Sequence, residues 1–134
     1  VTSDDEGIEV TNDADGTTVA VTVYGYVLSY GDKGIEVDND GSGDVTVTVS
    51  NADGTAQVTS GDDDAIDINN DEGGAVVVTA DNINGYDDGI FVDNDFNGTY
   101  TSVTLNNSAT ATQYDAIDIN HSGQRGWHGA NHSR

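Results

Sequence analysis

The chain has no cysteine, no methionine and no proline, and only three of its 134 residues are Lys or Arg. Without cysteine there is neither a disulfide framework nor thiol chemistry. With three basic residues against 25 acidic ones, the net charge is −22, so nucleic acid and anionic membrane surfaces are repelled and drop out as partners. No run of 18 apolar residues occurs, so no segment reads as a membrane-spanning helix and no membrane insertion is expected. With no Met and with Val at position 1, the chain reads as a processed product or a fragment.

The acid is almost all of one kind. Asp supplies 21 of the 25 acidic residues, and there are 17 Gly. Glu favours helices, whereas Asp, Asn and Gly favour turns and short oxygen-ligand loops, so the composition speaks against a helical protein. Such acidity has three explanations: a bound cation, life in strong salt, or a disordered chain. Strong Val/Ile/Thr alternation argues against disorder, which goes with depleted β-branched residues and no apolar pattern.

One phrase recurs: an acidic pair, a small residue, Ile, any residue, then Val or Ile. It reads Asp5-Glu6-Gly7-Ile8-Glu9-Val10, Asp32-Lys33-Gly34-Ile35-Glu36-Val37, Asp63-Asp64-Ala65-Ile66-Asp67-Ile68 and Asp87-Asp88-Gly89-Ile90-Phe91-Val92, and closes as Tyr114-Asp115-Ala116-Ile117-Asp118-Ile119. The copies are 27, 31, 24 and 27 residues apart. Each of the first four is followed by an Asn/Asp/Gly turn and a second alternating segment: Val19–Val23, Val45–Val49, Ala75–Thr79 and Ser102–Leu105. A weaker third segment lies near Tyr26–Leu28, Ala56–Val58, Ile83 and Ala109–Ala111. Period-2 alternation means strands with one buried face, and three short strands per repeat make one coil of a parallel β-helix.

The expected fold is therefore all-β, a parallel β-helix (β-solenoid) of about 4–5 coils of roughly 27 residues, occupying residues 1–122. Ile8, Ile35, Ile66, Ile90 and Ile117 should form an inward ladder, in a stack roughly 20–25 Å tall. A conventional antiparallel sandwich is the rival, but it has no reason to repeat this phrase at a near-fixed interval. From residue 123 to 134 the composition changes: the tail holds Trp127, Arg125, Arg134, His128 and His132. It reads as a C-terminal cap, a docking tail or a segment foreign to the repeat.

With GIEV, AIDINND and GIFVDND alternating with VTVTVSN, the chain resembles the right-handed parallel β-helices of bacterial autotransporter passengers and filamentous adhesins. The resemblance implies a right-handed solenoid in a secreted, extracellular, cell-surface or filament-forming protein with an adhesive or structural role.

The turns after the first strand place oxygen-bearing side chains at alternate positions before a Gly, the spacing of a D-x-D-x-[DNS]-G calcium loop. Asp93, Asp95 and Asn97 before Gly98 fit best; Asp38, Asp40, Ser42 and Asp44 come next; Asp13 and Asp15 follow a Thr11; and Asp71 belongs to the weakest copy. The bidentate Glu of a helix-flanked calcium loop is missing, since Val49 and Thr104 stand in its place, so further ligands must come from a neighbouring coil, the backbone or water.

Stacking raises the stakes. It would set Asp13, Asp40, Asp71 and Asp95 in one column, and Glu6, Asp64, Asp88 and Asp115 in another, interrupted by Lys33. Two carboxylates about 5 Å apart repel by roughly 1 kcal/mol in water and several times that near a low-dielectric surface. Calcium is the cofactor this arrangement calls for. Salt adaptation is the competitor, since screening at about 1 M shortens the Debye length to about 3 Å. Asn12, Asn39, Asn70 and Asn94 form a parallel column that can hydrogen-bond along the solenoid with or without metal.

Catalysis is not expected. Glu9, Glu36, Asp67 and Asp118 could serve a carbohydrate-active β-helix lyase or hydrolase, but as ladder members alike in surroundings they offer no differentiated acid and base. Thr22, Thr46, Thr48, Thr79 and Thr104 are outward strand residues, with a regular pair only at 46 and 48. Partners are expected to be further copies of the chain, through end-to-end stacking into a filament, with a glycan or cell-surface ligand as a further candidate.

Overall fold

The computed structural model describes residues 1–95 and 97–121. The tail at 123–134 lies outside the described residues, as does the end of the predicted repeat region at 122.

The strands are β1 (Thr2–Ser3), β2 (Ile8–Asn12), β3 (Val19–Val23), β4 (Tyr26–Ser29), β5 (Ile35–Asn39), β6 (Val45–Val49), β7 (Gln57–Ser60), β8 (Ile66–Asn70), β9 (Gly74–Gly85), β10 (Ile90–Asn94), β11 (Gly98–Ala111) and β12 (Ile117–His121). Every pairing among them is parallel. Strands β2, β5, β8, β10 and β12 stack into one sheet, here sheet B; the other seven form sheet A. The chain winds between the two in about five turns, and no helix occurs among the described residues. This is the parallel β-solenoid the repeat predicts, and the antiparallel rival is excluded.

The register is the one read from the phrase. Ile8 pairs with Ile35, Ile35 with Ile66, Ile66 with Ile90 and Ile90 with Ile117. Coil lengths of 24 to 31 residues leave this superposition intact because the extra residues sit in turns. The second and third segments are separate strands in the first two coils but fuse in the next two: β9 pairs with β6 through Val76–Ala80 and with β7 through Asn82–Asn84. Sheet A is therefore two walls joined by bent strands.

Val and Ile fill the interior. Ile35, Val37, Val45, Val47, Val49, Val58, Ile66, Ile68, Val76, Val78, Ile90 and Val92 are fully buried. Ile8, Val10, Ile117 and Ile119, on the terminal rungs, are only partly covered. Among the described residues, β2 and β12 each pair on one side only, so both ends of sheet B expose strand edges.

Candidate functional site: the polar corners and the acidic flank

The chain turns three kinds of corner, and buried polar side chains hold each kind. At the first, where sheet B passes into sheet A, Asn12, Asn39, Asn70 and Asn94 point inward, and the last three are almost completely buried. Asn12 Nδ2 donates to Asn39 Oδ1 and Asn39 Nδ2 to Asn70 Oδ1. Asn70 Nδ2 donates to Asn94 Oδ1 at 2.7 Å, and Asn94 Nδ2 passes the chain to Thr101 Oγ1 at 2.9 Å. The same amides serve the turn: Asn39 donates to the Gly41 carbonyl and Asn70 to that of Gly73, both at 2.8 Å. This ladder accounts for two glycines of the calcium-like spacing. A Cβ on Gly16 would collide with the Asn12 side chain, and one on Gly98 with Asn94. Asn and Gly at these turns thus have a structural reason independent of metal.

The predicted ligands lie outside this ladder. Amides of Asp40, Asp71 and Asp95 continue the inter-coil hydrogen bonds to the carbonyls of Asn12, Asn39 and Asn70, which keeps Asp13, Asp40, Asp71 and Asp95 in one column. Asp38, Asp40 and Asp71 are brought together: with Thr11, Asn39 and Asn69 they line an open depression spanning three coils. Asn69 Nδ2 donates to Asp38 Oδ1 across it at 3.3 Å. Burial raises the Asp71 pKa, and the charges of Asp40, Asp95, Asp93 and Asp38 raise it further. Asp44 is diverted elsewhere, since its Oδ1 accepts the Ala75 amide of the next coil at 2.8 Å. Asp13, Asp15, Ser42 and Asn97 are exposed, and Asp93 is half-buried. The oxygens that converge come from two successive coils, Asp38 and Asp40 from one loop and Asp71 from the next.

The third corner, which returns the chain to sheet B, carries a feature that the repeat phrase left unread. Ser29 Oγ donates to the Asp5 carbonyl at 2.6 Å and accepts the Asp32 amide; Ser60 Oγ donates to the Asp32 carbonyl at 2.7 Å and accepts the Asp63 amide. Ser29 and Ser60 are register partners, so a buried pair of serines locks the chain where it enters the repeat phrase at Asp32 and at Asp63. The signal was available: a Ser three residues ahead of Asp32 and of Asp63.

Carboxylates here also staple coils. Asp64 Oδ1 accepts the Asp88 amide, and Asp88 Oδ1 the Asp115 amide, both at 2.7 Å. Backbone N–H groups thus supply part of the compensation that the column needs. Burial nevertheless raises Asp64 to about 6, with the charges of Asp63, Asp88 and Asp87 adding to it against the opposing hydrogen bond. Asp88 is raised for the same reason. Among the described residues one group of three carboxylates, Asp5, Glu6 and Asp32, has oxygens within 4.8 Å of one another. Lys33 Nζ lies 3.8 Å from Asp32.

On the outer face of sheet B the four acids read as alike are differentiated. Lys33 reaches Glu36 at 3.0 Å and Asp67 at 3.7 Å. Although partial burial works against its charge, the hydrogen bond and charge of Glu36, then Asp67 and Asp32, hold its pKa above the usual range. Asp67 is only 7% exposed, and burial lifts it to about 7 despite the ammonium nearby.

At the second corner, inside the bend of β9, stands Asp81, 1% exposed. It accepts hydrogen bonds from Asn106 Nδ2 at 2.8 Å, Ser50 Oγ at 3.0 Å and the Asn51 amide at 3.1 Å. These bonds, that of Asn106 foremost, hold its carboxyl below the usual range.

The fold and corners define a parallel β-solenoid protein. Compared with protein-family models, curated proteins and solved structures, the chain matches none. The likeness to autotransporter passengers and filamentous adhesins thus rests on the repeat pattern alone.

Proposed function

We propose that the chain is a non-enzymatic, extracellular structural or adhesive module whose acidic turns are rigidified by calcium and whose open ends stack, either within a longer surface protein or into a filament. The observation that carries this reading is the convergence of Asp38, Asp40 and Asp71 from two successive coils on one open depression. Hard cations such as calcium take six to eight oxygens in flexible geometry, drawn from carboxylates, amide and backbone carbonyls and water. Asp38, Asp40, Asp71 and the neighbouring Asn69 would hold the ion, which would neutralise the repulsion that adds to burial in raising Asp71. An ion bridging coils stabilises the folded state by mass action, because the unfolded chain lacks the juxtaposition.

Calorimetric melting at fixed ionic strength, with excess calcium, with sodium alone and with a chelator, tests this. A calcium-specific rise in melting temperature, lost in Asp40→Asn/Asp71→Asn, is expected. An equal rise with sodium would instead make the acidity a salt adaptation. For the open ends, sedimentation of a complete natural chain should show self-association, and monomers alone would refute stacking.

A further inference from the structure

The charge of this molecule is segregated by sheet. The five strands of sheet B carry six acids: Glu9, Glu36, Asp38, Asp67, Asp93 and Asp118. The seven strands of sheet A contain one, Asp81, and it is buried. In a chain of net charge −22, the strand surface of sheet A is therefore free of charged side chains.

Tyr26 stands on that uncharged surface, and two further exposed aromatic rings border it. Tyr26 on β4 is 62% exposed, Tyr30 just beyond the strand 57% and Tyr24 at the preceding corner 74%. Register sets Gln57 beside Tyr26 and Thr59 beside Leu28 on the next coil, with Asn82 and Asn84 beyond them. Tyr26 and Tyr30 are four residues apart, roughly 13 Å in an extended strand. Neither ring supports the core, so their clustering on one rung has no packing reason, and exposed apolar groups gathered this way mark interaction sites.

We infer that this wall of sheet A docks a neutral polysaccharide, with Tyr24, Tyr26 and Tyr30 as stacking platforms and Gln57 and Thr59 as hydrogen-bonding partners. Sugar rings present apolar C–H faces that pack on aromatic rings, and their hydroxyls bond amides and hydroxyls without any charge. An amphipathic tyrosine suits both demands. Charge selects the occupant. An anionic polymer is repelled by the molecule's field, a cationic one is drawn to sheet B, and a second copy stacks through the strand edges at the ends of the solenoid rather than through this wall. The inference rests on the adhesive reading above and gives it a ligand class.

Affinity electrophoresis of the whole chain through gels containing a neutral β-glucan, xylan, galactomannan or dextran, with polygalacturonate as the anionic control, tests the site. At least one neutral polymer should retard the protein. Tyr26→Ala/Tyr30→Ala should weaken that retardation about tenfold or more with an unchanged melting temperature, and Glu9→Gln, exposed on sheet B, should leave it intact. Absence of retardation by every neutral polymer, or a double variant that binds like the parent, overturns the site. If the chain then still adheres to cells or solid surfaces, only the glycan site falls; if it does not, the adhesive reading falls with it.

Discussion

Asp67→Asn should stabilise this protein at neutral pH, although it removes a carboxylate 3.7 Å from the Lys33 ammonium. The wild-type carboxyl is raised from 3.8 to about 7, chiefly by burial, with Asp64, Glu36 and Asp38 adding repulsion against Lys33. Because the folded state binds this proton more tightly than the unfolded chain, the contribution is fully present below about pH 4 and is lost as pH rises through about 7. At 1.36 kcal/mol per pH unit the difference approaches about 4 kcal/mol, and solvent screening reduces it to about 2. Asn supplies the uncharged form permanently and keeps an oxygen for Asn69 Nδ2. Lys33 retains Glu36 at 3.0 Å. Differential scanning calorimetry in chelator, at matched ionic strength, should show the variant melting about 5–8 °C above wild type near pH 8. The gain should shrink towards zero by about pH 4, where the unfolded wild-type chain is also largely protonated. A destabilised variant at pH 8 would refute the reasoning, because the ion pair would then outweigh desolvation; an equal gain at both pH values would refute it too, because the gain would then not depend on the carboxylate's charge.

Two further substitutions probe the other corners. Asn39→Ala strands the amides of Asn12 and Asn70 beside a buried gap, so the urea midpoint should fall by the equivalent of about 3 kcal/mol with an unchanged slope. Asp81→Asn sets an amide NH2 among donors from Ser50, Asn51 and Asn106, so hydrogen exchange at the Asn51 amide should accelerate at neutral pH. Its pH dependence runs opposite to that of Asp67. With a lowered pKa, Asp81 contributes stability at neutral pH that is lost only as pH falls below the usual carboxylate range, so the Asp81→Asn defect should fade in strong acid.

Sheet B was legible in the sequence because its five strands repeat one phrase, and a period-2 pattern fixes both face and register. The inward Asn column was legible for the same reason: Asn12, Asn39, Asn70 and Asn94 each stand four residues after a ladder Ile. Sheet A was harder to read. The sequence gives two segments per coil, yet β9 and β11 run through the second corner without a break. The clue is a slip of phase. Val76, Val78 and Ala80 point inward at even positions, Ile83 and Gly85 at odd ones, and Asp81 sits at the change. An acid at a phase slip inside a Val-rich strand marks a bend that must be closed by a charged acceptor, but alternation counted segment by segment passes over it.

The acidic turns read as calcium loops because Asn, Asp and Gly serve several purposes at once, and the structure separates them. Asn faces inward and builds the ladder, Gly makes room for that ladder at positions 16 and 98, and Asp44, Asp64 and Asp88 accept amides from the following coil. What these demands leave over is narrower than the whole motif: the column of Asp13, Asp40 and Asp71, with Asp93 beside it. A corner needing only turn formers could place Asn or Ser at every one of these sites and avoid the repulsion that adds to burial in raising Asp71. Asp in successive coils of this column is what the proposed cation would use, so variants in this column, rather than in the Asn ladder, separate metal binding from mere turn formation.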